Sequence, residues 1–150
     1  MRSSLVRSLG IAAGILVLTG VQNASAQVMD PVEFTTSFPF TVGYATLPAG
    51  SYTIRPDDDN AAVFELTGAH ESVLFETNNT RARETPKKSE VVFKRYGDGY
   101  VLKDIWLESS SEGYETLAAE GERHLTKQHG AATSEEHIGA QKSSSPSSRR

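Results

Sequence analysis

Asp57-Asp58-Asp59-Asn60 is the densest run of hard oxygen donors in the chain, and such donors at alternate positions are what Ca²⁺ takes. The run lacks the turn glycine and the distal bidentate glutamate of an EF-hand, so a solvated turn between strands explains it equally well. His70, His124, His129 and His137, the last three with Glu135 and Glu136 nearby, supply metal-ligating types without the HExxH or HxH spacing that puts ligands on one face. No metal or other cofactor is expected. Asp104 with Glu108, or Glu65 with Glu76, are carboxylate pairs of the type a hydrolase uses, although an acidic domain offers such pairs by composition alone. No Gly-x-Ser-x-Gly elbow or Ser-x-x-Lys motif offers an activated nucleophile, so no residue is assigned a catalytic role. Tyr96, Tyr100 and Trp106 flank one hairpin and could form the stacking platform of a glycan-binding module. Aromatic residues so placed more often pack in a core or pair across strands.

These side chains must be positioned by strands. Short runs of β-branched and aromatic residues recur about every ten residues, each bounded by turn chemistry, which is an all-β signature. Strands are expected over 32–36 and over 40–45, the latter with Phe40, Val42 and Tyr44 inward. The turn Leu47-Pro48-Ala49-Gly50 should fold 40–45 against a strand at 51–55, with Tyr52 and Ile54 inward. A second hairpin joins 62–67, with Phe64 and Leu66 facing in, to 72–77, with Val73 and Phe75 facing in. The third joins 91–96 to 100–107 through Gly97-Asp98-Gly99, where Asp-Gly suits the positive φ values of a primed turn. Residues 78–89 are polar, contain Pro86 and read as the longest loop. The segment 114–127 is rich in Ala, Glu and Leu and predicts a short helix, which Gly121 weakens by roughly 1 kcal/mol relative to alanine. Beyond residue 127 the chain has almost no large apolar side chain, so 128–150 is expected to be a disordered polar tail. The expected architecture is a small antiparallel β-sandwich or barrel of about seven strands, occupying residues 27–127.

The first 26 residues have the layout of a cleavable secretory signal. Arg2 and Arg7 give a positive start, Ile11 to Val21 form an apolar core, and Ala24-Ser25-Ala26 places small residues for cleavage between Ala26 and Gln27. The apolar run is shorter than the roughly 20 residues a membrane span needs, and Gln22 and Asn23 follow it directly. No stable membrane insertion is expected after cleavage. The chain has no cysteine, which excludes disulfides and an N-terminal lipid-modified cysteine. Two of the 15 basic residues lie in the leader and all 19 acidic ones follow it, so the remainder carries 13 against 19, a formal charge of −6. Such a surface repels phosphate backbones, and nucleic acid is not an expected partner. The one basic cluster, Arg81, Arg83, Lys87 and Lys88, is interrupted by Glu84 and reads as a solvated loop.

Phe38-Pro39-Phe40-Thr41-Val42-Gly43, then Leu47-Pro48-Ala49-Gly50-Ser51-Tyr52, and later Phe93, Arg95-Tyr96-Gly97-Asp98, Tyr100, Leu102, Ile105 and Trp106 form a set of paired motifs. Together they resemble a family of uncharacterised exported bacterial proteins with PF.VG…LPAG.Y and F.RYGD.Y.L..IW motifs. The resemblance covers roughly residues 32–125 and implies export and a small β-rich domain, with no activity or catalytic residues to carry over. The reading that follows is a secreted or periplasmic, non-enzymatic structural or interaction module of the cell envelope or extracellular space, whose partner is an envelope protein or a glycan. The alternatives are a glycan or cell-wall binder using Tyr96, Tyr100 and Trp106, and a small hydrolase.

Overall fold

The computed structural model describes residues 29–117 and 120–143, so the expected leader over 1–26 and its junction at Ala26 and Gln27 lie outside the described residues. The fold is all-β, as the sequence predicts, and the described residues hold one short helix and eleven strands where about seven strands were expected.

Two of the expected hairpins form. β5 (Val63–Thr67) pairs with β6 (Ser72–Arg81), placing Phe64, Leu66 and Phe75 in the core. β7 (Glu90–Tyr96) pairs with β8 (Gly99–Trp106) around a two-residue turn. In that turn the left-handed residue is Gly97, with φ +59°, and not the expected Asp-Gly pair. Positive φ at the first central residue alone is the pattern of a type II′ turn. Gly99 is already in β8 opposite Tyr96, where a Cβ would meet the Leu125 side chain at 2.9 Å.

The strand expected over 40–45 is broken at Gly43, whose φ of +57° lets the chain reverse. It becomes β2 (Phe40–Val42) and β3 (Ala45–Leu47), paired with each other, and Tyr44 sits at the turn 88% exposed instead of facing in. The expected pairing of 40–45 with 51–55 is therefore absent. β4 (Gly50–Pro56) instead pairs with β1 (Val32–Thr36) and β5, so Leu47-Pro48-Ala49-Gly50 carries the chain from one sheet to the other. The Tyr52 hydroxyl donates to the Pro48 carbonyl at 2.6 Å and pins that corner.

Residues 114–116, expected to be helical, belong to β9 (Glu112–Thr116), which pairs with β6 and β8. The Tyr114 ring lies 4.7 Å from that of Phe64, and burying an aromatic surface outweighs helix propensities of a few tenths of a kcal/mol per residue. Helix α1 (Glu120–His129) starts later than expected. The tail expected from 128 onward gives the end of α1, then β10 (Ser134–Gly139) on β7 and β11 (Gln141–Lys142) on β1; 144–150 lie outside the described residues. Polar residues form strands here because the edges of β7 and β1 offer rows of backbone N–H and C=O groups to pair with, and main-chain pairing does not depend on side-chain polarity.

The strands run in the order β10-β7-β8-β9-β6-β5-β4-β1-β11, with β2 added in parallel to β8 at Thr41 and Val101. β6 belongs to both sheets, its first half pairing with β5 and its second with β9. The ladder is not closed into a ring, yet β10 and β11, separated by Ala140 alone, bridge the outer strands of the two sheets. Between the layers lies an aromatic core: Phe40 contacts Tyr52 and Phe93 edge-on at 5.1 Å, and Phe38 stacks on Tyr100 at 3.9 Å. Val92, Tyr96 and Val101 are buried outside that cluster, on the side of the sheet where α1 packs.

Because the last segment ties both sheet edges, deleting residues 130–150 is expected to lower the melting temperature by about 10 °C or more, the effect of roughly 2 kcal/mol on a domain of this size. A thermal melt of the truncated protein within a few degrees of the full chain would show that the segment is dispensable.

Candidate functional site

Concavity and a carboxyl raised towards neutrality are found at different places among the described residues. The first is a cleft of about 820 Å³ where the two sheets separate at one end. Met29, Val32, Leu107 and Tyr114 form apolar wall, and Thr77, Asn78, Asn79, Ser89 and the loop Glu108-Ser109-Ser110 contribute polar groups. Met29 and Val32 are buried, so the wall is continuous with the core. Ser109 holds a left-handed backbone, φ 62°, while its N–H donates to the Pro86 carbonyl at 2.9 Å. A non-glycine residue in that region is strained and persists when its surroundings fix it. Three hydroxyls of the cleft are committed to the backbone: Ser89 Oγ accepts from the Glu108 N–H at 3.0 Å, Thr77 Oγ1 donates to the Ala62 carbonyl at 3.3 Å, and Ser110 Oγ donates to that of Glu112 at 3.0 Å. At the rim Lys142 Nζ donates to Asp30 Oδ2 at 2.6 Å, and the carboxylate raises the amine's pKa.

The second place is the outer face of β7, β8 and β9. A bulge after Val92 leaves Lys103 without a partner, so Asp104 stands opposite Val92 and Glu115. Burial pushes the Asp104 carboxyl up to about 6; Lys103 opposes this, Glu115 and Glu135 add to it, and Lys94 opposes it. Lys103 is ion-paired with Glu115. Alternation puts this group on the side of the sheet away from Val91 and Ile105, and it does not line the cleft.

The other sequence-derived candidates separate. Glu108 lines the cleft while Asp104 lies on the outer face, so they do not form a pair. Glu65 is opposite Leu74, and Glu76 opposite Val63. The Ser72 hydroxyl, donating at 2.5 Å, and Arg55 hold the Glu65 carboxyl below its ordinary range, unsuited to proton donation. Asp57 Oδ1 accepts the N–H groups of Asp59 and Asn60 at 3.0 and 3.1 Å, a turn-capping role. His137 contacts Glu90, at 3.2 Å from Nδ1, and Glu135, whereas His129 lies over Gly97. Among the described residues no group of three or more His, Asp or Glu could hold a metal ion, and no helix is long and apolar enough to cross a membrane.

Tyr96, Tyr100 and Trp106 do not share a surface. Tyr96 is 5% exposed and faces α1, where its hydroxyl donates to the buried Glu122 carboxylate at 2.6 Å; desolvation and that carboxylate push its pKa up to about 12. Tyr100 lies on the opposite side of the hairpin, between Phe38 and the Arg95 guanidinium, which is 5.7 Å from its ring centroid. Trp106 is at the far end of β8, half-buried with its ring against Gly113. Glu122, Glu115 and the Tyr114 wall were not foreseen from sequence; only Tyr114 carried a signal, as the aromatic residue directly after the stretch Ser109-Ser110-Ser111-Glu112-Gly113.

Comparison with protein-family models, curated proteins and solved structures finds no match. The assignment of a role therefore rests on the geometry.

A carboxyl whose folded pKa exceeds its unfolded value favours folding while protonated, a contribution full below about pH 4 and lost as the pH rises through about 6. Asp104→Asn removes the buried charge, and since the group is half-exposed the gain is screened to on the order of 1 kcal/mol at pH 7.5, shrinking to nothing below pH 4. Urea unfolding at both pH values checks this; a gain that does not depend on pH would contradict the burial of the charge. At Gly113 an added Cβ would meet the Trp106 ring at 2.3 Å and the Ile105 carbonyl at 2.8 Å. Gly113→Ala is expected to cost about 1–3 kcal/mol, the range for overpacking, and a neutral result would mean that the Trp106 ring is free to leave.

Proposed function

We propose that the protein is an exported, non-enzymatic interaction module of the cell envelope or extracellular space, and that the cleft between its sheets is the ligand-binding surface. One observation carries this reading: the carboxyl raised towards neutrality lies off the cleft, and the shifted groups that do line it, Tyr114 and Lys142, are both raised further from neutrality. Enzymes bring a group with a tuned pKa into the cleft where substrate sits. Here the one carboxyl raised towards neutrality, Asp104, is on the outer face, and the cleft's hydroxyls at Thr77, Ser89 and Ser110 are tied to backbone groups. An apolar wall with a few fixed polar groups suits binding without bond making. The export element rests on residues 1–26 and the resemblance of the 32–125 region.

A photo-reactive residue at Asn79, on the cleft wall, is expected to capture a discrete envelope component in cells producing the protein, while the same residue at exposed Arg55 captures none. Equal labelling from both positions would remove the cleft from the reading. Hydrolysis of p-nitrophenyl esters or glycosides by the mature chain, lost in Asp104→Asn, would overturn the non-enzymatic assignment.

A further inference from the structure

Tyr114 is the aromatic side chain of the cleft wall, and the strand ladder sets a polar neighbour beside it. Asn79 stands directly opposite Tyr114 in the pairing of β6 with β9, so the two share a face, and alternation from buried Thr77 and Thr116 makes it the core-facing one. The half-buried Tyr114 ring rests against Phe64, with centroids 4.7 Å apart. Burial first, then the Glu112 carboxylate, raise the pKa of its hydroxyl, which has no hydrogen-bond partner among the described residues. The Asn79 amide and the Ser109 hydroxyl are likewise unpartnered, whereas Thr77, Ser89 and Ser110 are bonded to the backbone. Charges at the rim neutralise each other, Lys142 with Asp30 at 2.6 Å and Arg81 with Glu112 at 3.9 Å.

These groups narrow the ligand. Among the described lining residues the one cation is Lys142, already paired, so nothing receives a phosphate or a carboxylate. An acyl chain would leave the Tyr114 hydroxyl and the Asn79 amide withdrawn from water and unbonded. An extended peptide needs a run of open strand edge. In the cleft β1 is paired with β4 and β11, β9 with β6 and β8, and β6 beyond Thr77 offers only 79–81 on the side away from β9. We infer that the cleft takes a neutral saccharide, with one sugar ring set against Tyr114 and its hydroxyls bonded to Tyr114 Oη, the Asn79 amide and the Ser109 hydroxyl. A pyranose carries C–H groups on its faces and hydroxyls around its edge, so it matches both the apolar wall and the unpartnered polar groups. The Ser109 backbone is already fixed by its bond to the Pro86 carbonyl, which lowers the ordering cost of binding there. A volume of about 820 Å³ accepts roughly two or three such rings. This inference names the ligand class of the cleft and so rests on the reading that the cleft is the binding surface.

The test titrates the full mature chain, isotope-labelled for NMR, with cellotriose, maltotriose and triacetylchitotriose, and with trigalacturonate as a charged counterpart of the same length. At least one neutral trisaccharide is expected to bind saturably and to shift the amide signals of Asn79, Ser109 and Tyr114, with trigalacturonate weaker. Tyr114→Phe keeps the ring against Phe64 and removes the hydroxyl alone, and Asn79→Ala alters an exposed position. Each should weaken binding about fivefold, the loss of one hydrogen bond, while Arg55→Ala leaves it unchanged. No binding of any neutral trisaccharide at millimolar concentration, tighter binding of trigalacturonate, or binding untouched by both variants would each overturn the inference. Two outcomes separate it from the reading beneath it. If a photo-reactive residue at position 79 captures a protein free of sugar while no trisaccharide binds, the cleft remains the binding surface and the saccharide falls. If position 79 captures nothing and any saccharide shifts lie elsewhere, both fall.

Discussion

The fold depends on one strand belonging to two sheets. β6 spends Ser72–Glu76 on β5 and Thr77–Arg81 on β9, and the change of partner occurs at Thr77, which is buried and bonded to the Ala62 carbonyl through both its N–H and its hydroxyl. With no disulfide to join the layers, this shared strand and the rings between them set the spacing of the sheets. The cleft has Thr77, Asn78 and Asn79 of β6, where the strand changes partner, on its wall. Bending the ladder at a bonded threonine thus produces both the two-layer form and the concavity.

The same economy explains the sequence motifs. Pro48 and Gly50 do not close a hairpin; they carry the chain between layers, and Tyr52 turns back to bond the Pro48 carbonyl while its ring joins Phe34 and Phe40. In the Arg95-Tyr96-Gly97-Asp98 stretch, Gly97 reverses the chain, Arg95 Nε caps its carbonyl at 2.8 Å, and Tyr96 reaches Glu122 to hold α1 against the sheet. Arg95, Tyr96 and Gly97 are thus each accounted for by a structural contact.

How much of this was legible from sequence varies with the physical signal each element carries. β5 and the first half of β6 alternate because one face of each is in the core, and they were read with their inward residues; β7 and β8, buried on both faces at Val92 and Val101, were read as a hairpin from their turn without an inward face. The separation of Tyr96 from Tyr100 was not foreseen: the expected three-residue turn Gly97-Asp98-Gly99 sets the two rings opposite each other, whereas the two-residue turn puts Tyr96 opposite Gly99, so Tyr100 faces the other way. Strict alternation would put Tyr100 and Trp106 on one face, but the extra residue at Lys103 shifts the register, and nothing in the sequence announces that bulge. The same shift takes Asp104 to the outer face, which is why its pairing with Glu115 could not be foreseen. β9 was hidden by helix-favouring neighbours, and β10 and β11 by having no buried face to produce a pattern.

The pairing of Val32 with Lys142 joins the first described strand to the last, 110 positions apart in sequence. Contacts so distant in sequence close the largest loop in the molecule and can form only after almost all of the chain has left the ribosome or any channel that delivers it. Until then β7 and β1 have bare edges, the state in which a sheet is most open to pairing with another strand. Completion of the domain is therefore a late kinetic event. In the interval before it the nascent protein offers a receptive surface that its finished form conceals.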